Sequence, residues 1–225
     1  MIKENIKEKI KLEKAYLNYC NIIEKKLPYK YSYLDEWILK KSKLLLDETI
    51  EDEVDKKYRV YKRGTIIKVD FGVNLGSEMS QVHFAIVLNN YDNQKNNILT
   101  VVPLTSKNNK FNLNLGPLVI GKLIDKVKLE MIKIGYNEEY NSVSEDTPEN
   151  RIKLKKLLTL LSYYKSNEKN TYACCSLITT ISKTRIFPPI NEYDIIGRAK
   201  CSTEVMEMID KEVLDKITKI DLTKI

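Results

Sequence analysis

Residues 63–71 read RGTIIKVDF, and here the spacing of apolar residues changes from helical to strand-like. The stretch opens with a glycine turn signal, and its apolar side chains then alternate with polar ones. Similar short stretches follow, separated by polar turns, and predict strands at residues 83–88, 98–104, 111–115, 118–120, 127–134 and 172–181. Several short strands of this kind indicate a small antiparallel sheet or barrel. Pro103 falls inside one of them, which favours an edge strand or a bulge at that point.

Helical patterns precede this region. Residues 2–27 carry apolar side chains every three to four positions, and Pro28 is predicted to end that helix. A second helix is predicted from Tyr33 to Asp47, followed by an acidic linker at residues 47–55. Two short amphipathic helices cannot form a large core alone, so they must pack on the rest of the chain, on a second copy or on a partner.

Helices are also predicted after the first strands. Thr147 followed by Pro148 is typical of an N-cap and a first helical turn, and a closing helix is predicted from Ser202 or Thr203. The fold class is therefore α+β. We predict a helical N-terminal extension at residues 1–57 and a barrel domain at residues 58–225, with a helical insertion at residues 136–170.

Composition narrows the class of protein. The 225 residues are 43% hydrophobic and 31% charged, which is typical of one or two globular domains. No apolar run approaches the roughly 18 residues of a membrane helix, and the N-terminus lacks the pattern of a signal peptide, so we expect a cytoplasmic protein. The four cysteines and single histidine argue against both a disulfide framework and a zinc site, and favour buried reduced thiols.

The positive charge is concentrated in one segment. The chain has a formal net charge of +7, and residues 58–135 alone carry eleven basic and five acidic side chains. A Lys-rich coding bias would spread lysines evenly and would not remove carboxylates from that segment. A local positive field attracts polyanions, of which nucleic acid is the commonest, so contact with nucleic acid is predicted.

Several motifs stand in a familiar order between Arg63 and Lys107. RGTIIKVDFG is followed by GSE at residues 76–78, then by HFAIVLNN and TVVPLTSK. Later, SLITTISKTR at residues 176–185 and the Ile195-Ile196-Gly197 stretch precede the closing helix. With these motifs the chain resembles the PemK/MazF family of toxin endoribonucleases over residues 58–135 and 171–225. Residues 1–57 and 136–170 have no counterpart in the minimal family domain.

The resemblance implies a small SH3-like antiparallel β-barrel with a C-terminal helix, here carrying an additional N-terminal helical hairpin, and it implies a homodimer. It further implies cleavage of single-stranded RNA without a metal or other cofactor, leaving 2′,3′-cyclic phosphate and 5′-hydroxyl ends. An antitoxin protein that blocks the RNA groove is the implied partner. The loops at residues 72–82 and 106–117 would set the RNA sequence preference.

The family places an arginine directly after the GSE loop and a threonine at the end of the T-S strand. In this chain the threonine is Thr105, with Ser106 beside it, and His83 occupies the arginine position. Histidine titrates near pH ~6.5 and can act as base or acid, whereas arginine grips phosphate but gives up a proton poorly. His83 is therefore interpreted either as a proton shuttle that binds phosphate less tightly or as a sign of lost activity with retained RNA binding.

Other residues complete the predicted site. Glu78 is a candidate base or a group that orients His83, and Asp70 is interpreted as structural. The candidates for binding RNA are Arg63, Ser77, Lys107 and Lys110.

Other functions stay open at this stage. The same fold can carry a catalytically inactive module that binds RNA or protein, since the gyrase-inhibiting CcdB toxins resemble it too. A conjugation or phage accessory protein that uses the barrel for dimerisation is a third interpretation. The N-terminal helices would extend a dimer interface, cover the RNA groove as an inhibitor, or form a docking platform.

Overall fold

The computed structural model describes residues 2–27, 29–50, 56–137, 142–144 and 146–217, with the side chains of residues 2–5 and 142–143 excepted. The chain divides into two compact units. One comprises Met1–Lys56 together with Asp70–Val82, and the other comprises Lys57–Val69 together with His83–Ile225. None of the helices within the described ranges is long and apolar enough to cross a membrane.

The first unit contains two helices. Helix α1 spans Ile2–Glu24, a 3₁₀ turn spans Tyr29–Tyr33, and helix α2 spans Leu34–Ile50. Both predicted helices are confirmed, although α1 ends at Glu24 and α2 continues three residues beyond its predicted end at Asp47. Pro28 and residues 51–55 of the predicted linker lie outside the described part. The apolar stripe of α1 is exposed, with Ile10 45% and Leu17 58% accessible.

The strands lie in the second unit, except for Asp70 at the end of β1 and Val82 at the start of β2, which belong to the first unit. In chain order they are β1 (Ile66–Asp70), β2 (Val82–Val87), β3 (Ile98–Thr105) and β4 (Leu113–Gly116), then a small hairpin of β5 (Tyr136–Asn137) and β6 (Ser142–Val143), and finally β7 (Thr171–Ala173) and β8 (Thr179–Ser182). The main sheet has the order β1-β2-β3-β7-β4, and β8 also pairs with β3. With its antiparallel pairs and its α-helices the chain is α+β, as predicted.

Three further helices complete this unit. They are α3 (Ile120–Lys133), α4 (Pro148–Ser166) and α5 (Thr203–Ile217). The Thr147 side chain accepts a hydrogen bond from the Asn150 backbone N–H, so it caps α4 as the sequence indicated. The main core lies between the helices and the sheet, where Leu123 and Val127 of α3, Leu157 of α4 and Ile209 of α5 are buried with Ile86 and Val102 of the strands.

Helix α3 corrects two predictions, because the strands expected at residues 118–120 and 127–134 are wrong. The run VKLEMIKI fits a period of two, but the buried residues follow a helical spacing: Ile120, Leu123, Ile124, Val127 and Met131. A strand pattern would count Leu129 and Ile132 among the core residues. In the structure they are 47% and 66% exposed. Periodicity in a short apolar run is ambiguous, and packing against α4 selects the helix.

The later strand predictions also need correction. The stretch predicted as one strand at residues 172–181 is divided into β7 and β8 by a 3₁₀ turn at Cys175–Leu177. Pro103 does not lie on an edge strand, because β3 has partners on both sides. One neighbour, β8, pairs only as far as Val101, and the next, β7, begins at Leu104. Pro103 therefore sits where the sheet changes partner and a missing N–H is tolerated.

A buried ion pair fixes the Asn-rich loop before β3. The Lys183 Nζ lies 2.8 Å from Asp92 Oδ1, and the two side chains are 3% and 0% exposed. The Tyr61 N–H and the Asn96 side-chain amide also donate to Asp92. Burial alone would raise the pKa of Asp92, but the hydrogen bond from Lys183 and the other donors outweigh it and hold the pKa below its usual range.

Replacing Lys183 by methionine should leave the Asp92 carboxylate buried without its cation. We expect Lys183→Met to lower the free energy of unfolding by about 3 kcal/mol at neutral pH, measured by urea denaturation. A carboxylate whose folded pKa is depressed stabilises the fold above its unfolded pKa of about 4, and this contribution is lost as pH falls through the folded pKa. The difference in unfolding free energy between Lys183→Met and the unmodified chain should therefore become smaller in acid.

Lys95→Met, at an exposed site in the same loop, is the control. A deficit equal to the control's at neutral pH would contradict the prediction.

Candidate functional site

His83 and Thr105 lie at neighbouring ends of paired strands. β2 and β3 are antiparallel with Ala85 opposite Pro103 and Ile86 opposite Val102. The same register continued by two residues sets His83 opposite Thr105. The His83 Nδ1 lies 3.0 Å from the carbonyl oxygen of Leu104, the residue before Thr105. The structure thus brings these two predicted residues together at the end of β3, and both are half-buried.

The contact with Leu104 determines the tautomer of the His83 ring. A carbonyl oxygen only accepts hydrogen bonds, so Nδ1 must be the donor and must carry a proton. In the neutral imidazole the lone pair then resides on Nε2. The backbone of β3 therefore orients the ring and makes Nε2 its basic nitrogen.

Thr105 and the turn after it supply hydroxyl and cationic groups. The Thr105 Oγ1 accepts a hydrogen bond from the Lys107 backbone N–H at 3.2 Å, so its own O–H hydrogen remains to be donated. Ser106, Lys107 and Lys110 follow in an exposed turn. The Lys110 Nζ lies 5.0 Å from the centroid of the Phe111 ring. Residues 105–110 thus supply two hydroxyls and two ammonium groups along a short length of chain, and the imidazole of His83 on β2 lies beside the end of β3.

Arg63 has a different environment. Its guanidinium donates hydrogen bonds to the Leu88 carbonyl oxygen and to the Asp210 carboxylate on α5. The Arg63 and Asp210 side chains are 31% and 47% exposed, so the pair is a modest surface interaction. Arg63 thereby joins the start of the strand region to the closing helix.

Ser77 and Glu78 belong to the other compact unit, in the loop of residues 71–81 that joins β1 to β2. Both residues are exposed. The Glu78 backbone N–H donates to the Leu75 carbonyl oxygen at 3.1 Å, which closes a turn at the tip of the loop.

A buried carboxylate stands at the base of this loop. Asp70 is fully buried and accepts hydrogen bonds from the Tyr33 hydroxyl at 2.8 Å, the Lys40 Nζ at 2.6 Å and the Gly72 backbone N–H at 2.9 Å. Burial and the bond to Asp70 raise the pKa of Tyr33, which keeps its hydroxyl protonated as a donor. Asp70 is thus structural, in agreement with its interpretation from the sequence.

The structure also gathers cations that the sequence analysis did not single out. A cleft of about 710 Å³ is lined by Lys122 and Lys126 of α3 and by Arg198 and Lys200 of the segment before α5, with Tyr193 and Ile195 beside them. The two carboxylates at its rim are engaged elsewhere, Glu130 by Lys133 and Glu192 by Lys156. The i,i+4 lysine pair is the available signal in the sequence, but the strands predicted at residues 118–120 and 127–134 place both lysines in a connection between strands and not on one helix face.

A second buried carboxylate shapes one wall of this cleft. Asp194 is fully buried and accepts hydrogen bonds from the Tyr164 hydroxyl and from the backbone N–H groups of Ile190 and Ile196. The Arg198 guanidinium donates to the Asp194 backbone carbonyl oxygen at 2.7 Å. Burial and the bond to Asp194 raise the pKa of Tyr164, so this wall is held by donors that stay protonated.

Cys174 and Cys175 are buried and are poor candidates for reactive groups, whereas Cys20 and Cys201 are half-buried. All four cysteines are free, and burial raises the pKa of Cys174 and Cys175 to about 11, so these two thiols stay protonated and unreactive at neutral pH. Within the described residues, no three His, Cys, Asp or Glu side chains form a group that could hold a metal ion.

The His83 tautomer can be observed directly, because the chain has one histidine. We expect the neutral ring to carry its proton on Nδ1, since the Leu104 carbonyl oxygen can only accept. Long-range ¹H–¹⁵N correlation spectra of the ¹⁵N-labelled imidazole, recorded above its titration, distinguish the two tautomers. His83→Ala identifies the signals by their loss. A ring protonated on Nε2 would refute this assignment.

Part of the chain matches a known family. Residues 62–134 match the family described as PemK-like, MazF-like toxin of type II toxin-antitoxin system. This region contains β1 to β4, His83, Thr105 and α3, and the match confirms the resemblance found in the motifs of residues 63–107. The late motif at residues 176–185 lies outside the match. No curated protein matches the chain.

Proposed function

We propose that this chain, which resembles the PemK-like and MazF-like toxins over residues 62–134, is an endoribonuclease that cleaves single-stranded RNA without a metal. One observation carries the proposal. His83 occupies the position of the family's arginine, and its ring is hydrogen-bonded to the carbonyl oxygen of Leu104, the residue directly before Thr105. An oriented base beside a hydroxyl donor is what cleavage by the RNA 2′-hydroxyl requires.

The reaction begins at the 2′-hydroxyl of the nucleotide before the scissile bond. His83 Nε2 takes its proton, and the 2′-oxygen attacks phosphorus. The Thr105 hydroxyl, assisted by Ser106, donates to a non-bridging phosphate oxygen as charge develops there. The bond from phosphorus to the 5′-oxygen breaks, and the products are a 2′,3′-cyclic phosphate and a 5′-hydroxyl.

The leaving 5′-oxygen needs a proton from a second group. In an in-line displacement the attacking and leaving oxygens lie on opposite sides of phosphorus, so one imidazole serves one of them. Lys107 and Lys110, in the turn after Thr105, are the candidates for the other side and for the fixed charge that an arginine would supply. The roles predicted for Arg63, Ser77 and Glu78 stay predictions.

The cationic cleft supports RNA as the substrate class. Lys122, Lys126, Arg198 and Lys200 present positive charge along one groove. The Lys153 Nζ lies over the Tyr193 ring, 5.2 Å from its centroid, so a base that stacks on this ring would use the opposite face. RNA that reaches this cleft would be held at phosphates away from the bond that is cut. We further propose that the protein is cytoplasmic and forms a homodimer. Its proposed partner is an acidic antitoxin protein that competes with RNA.

A second candidate is a catalytically inactive binding module. The observation in its favour is the replacement of the family's arginine by His83, since a neutral imidazole holds phosphate less firmly than a guanidinium. Such a protein would bind RNA or a protein target without cutting it.

Cleavage is tested with mixed-sequence single-stranded RNA in excess EDTA. We expect products with cyclic phosphate ends from the unmodified chain, and a loss of rate of about 10²- to 10⁴-fold in His83→Ala. Thr105→Val, which keeps the shape of the side chain and removes the hydroxyl, should lower the rate by at least about tenfold. End-group analysis and rate measurement on matched preparations are the readouts.

The outcomes separate the two candidates. Equal cleavage by the unmodified chain and His83→Ala would remove His83 from the mechanism. Absence of cleavage with retained RNA binding would favour the inactive module.

The cationic cleft makes a separate prediction about affinity. Lys122→Gln with Lys126→Gln should weaken binding of single-stranded RNA, and the slope of log K against log salt should fall by about 0.7 for each phosphate that the variant no longer neutralises. Fluorescence anisotropy at several salt concentrations measures both quantities. Lys128→Gln, an exposed lysine on the same helix outside the cleft, removes one charge and serves as the control. A double variant whose salt slope equals the control's would exclude the cleft from RNA binding.

A further inference from the structure

We propose that residues 29–40 are positioning residues for the loop at residues 71–81, and that they hold this loop in one conformation from within the same chain. This inference goes beyond the proposed function, which assigns no role to the N-terminal helices. Its consequence for RNA selection rests on the proposed function, whereas the ordering of the loop does not.

The loop needs external support. Leu75 at its tip is 84% exposed and residues 75–78 are all exposed, so the tip buries little apolar surface, although Phe71 at the start of the loop is buried. The loop has an internal frame, because the Asn74 side-chain amide donates to the carbonyl oxygens of Phe71 at 2.9 Å and Met79 at 2.7 Å. A loop with few buried contacts samples other conformations unless further contacts restrain it.

The first restraint is the carboxylate of Asp70, where the loop begins. One Asp70 oxygen binds the Gly72 backbone N–H, and the other accepts from both Tyr33 and Lys40. The Lys40 side chain is 35% exposed, and its ammonium faces a fully buried carboxylate oxygen at 2.6 Å. The direction in which the chain leaves β1 is therefore coupled to the first turns of α2.

Trp37 supplies the second restraint by packing. Its side chain is largely buried, and a Cβ atom added at Gly72 would overlap the indole ring. Gly72 also has φ of +72°, a conformation that residues with side chains rarely adopt. The tryptophan therefore lies directly against the loop backbone, and no larger residue would fit between them.

The tip and the return of the loop are held by hydrogen bonds. The Lys30 Nζ donates to the carbonyl oxygens of Asn74 at 3.0 Å and Gly76 at 2.8 Å. On the return side, the Gln81 side-chain amide donates to the Tyr29 carbonyl oxygen at 3.0 Å. The base, the tip and the return of the loop thus each have a partner within residues 29–40, and together these partners lower the entropy that the loop would lose on binding.

An ordering role and an inhibitory role of these contacts predict opposite effects on the rate when the contacts are broken. An inhibitory cover must leave for activity to appear, so breaking its contacts raises the rate. A positioning segment has the opposite effect, because a loosened loop loses both affinity and discrimination between RNA sequences. The restrained loop ends immediately before His83 in the chain, and it contains Ser77 and Glu78.

Hydrogen exchange of the full-length chain tests the ordering directly. Lys30→Met, Trp37→Ala and Lys40→Met should each make the amides of residues 71–81 exchange at least about tenfold faster, with β3 unchanged. Lys41→Met and Leu39→Ala, at exposed positions of α2, are the matched controls and should leave the loop as it is. Unchanged exchange of the loop in Lys30→Met and Lys40→Met would overturn the proposal.

Lys30→Met is the variant that is least expected to unfold the protein. The hydrogen bonds from Lys30 reach the exposed tip of the loop, whereas Trp37 and Lys40 support its buried base. If Trp37→Ala loosens β3 as well, the comparison of Lys30→Met with Lys41→Met still decides the question.

RNA cleavage provides the second readout. In Lys30→Met we expect KM for the preferred sequence to rise about tenfold with kcat little changed, and the preference over other sequences to narrow by a similar factor. A higher rate in this variant would show an inhibitory cover instead and overturn the positioning role. If the unmodified chain cleaves no RNA, the proposed function fails, while the exchange experiment still decides whether residues 29–40 order the loop.

Discussion

The pairing of β3 on both of its edges is the constraint on which the second unit depends. β2 lies along one edge, and β8 and then β7 lie along the other. Because β3 is enclosed in this way, its backbone is rigid up to its last residues, and the Leu104 carbonyl oxygen becomes a fixed acceptor for His83. Pro103 fits where the second edge changes partner, and its own carbonyl oxygen still receives the Cys174 N–H at 2.9 Å. The catalytic hypothesis thus rests on a backbone position more than on any single side chain.

Buried aspartates organise the irregular segments. Asp70, Asp92 and Asp194 each accept one or two backbone N–H bonds and at least one bond from a tyrosine or lysine side chain. A buried carboxylate without partners is strongly unfavourable, so each aspartate requires its loop to adopt the conformation that supplies the donors. Short polar segments that bury little apolar surface gain a defined shape in this way. The same device shapes the loop before β3, the loop at residues 71–81 and one wall of the cationic cleft.

Regular elements with long, consistent patterns are predictable from the sequence. The two N-terminal helices, the Thr147 cap and the closing helix follow from apolar spacing and terminal residues, which act locally. α3 is not predictable in this way, because VKLEMIKI satisfies both periods and only burial against α4 chooses between them. Lys122 and Lys126 are consequently absent from the sequence-derived site, and the contacts of Arg63 with Leu88 and Asp210 cannot be inferred from a motif at one end of the chain.

By itself, the sequence determined the α+β class, the order of its motifs and their resemblance to the PemK-like and MazF-like toxins. These properties depend on local spacing and on residue type. The tertiary structure alone decided that His83 donates to the β3 backbone, that Lys183 neutralises Asp92, and that residues 29–40 hold the loop at residues 71–81. Each of these contacts joins groups far apart in the chain, and its formation depends on burial and strand register that only the folded molecule possesses.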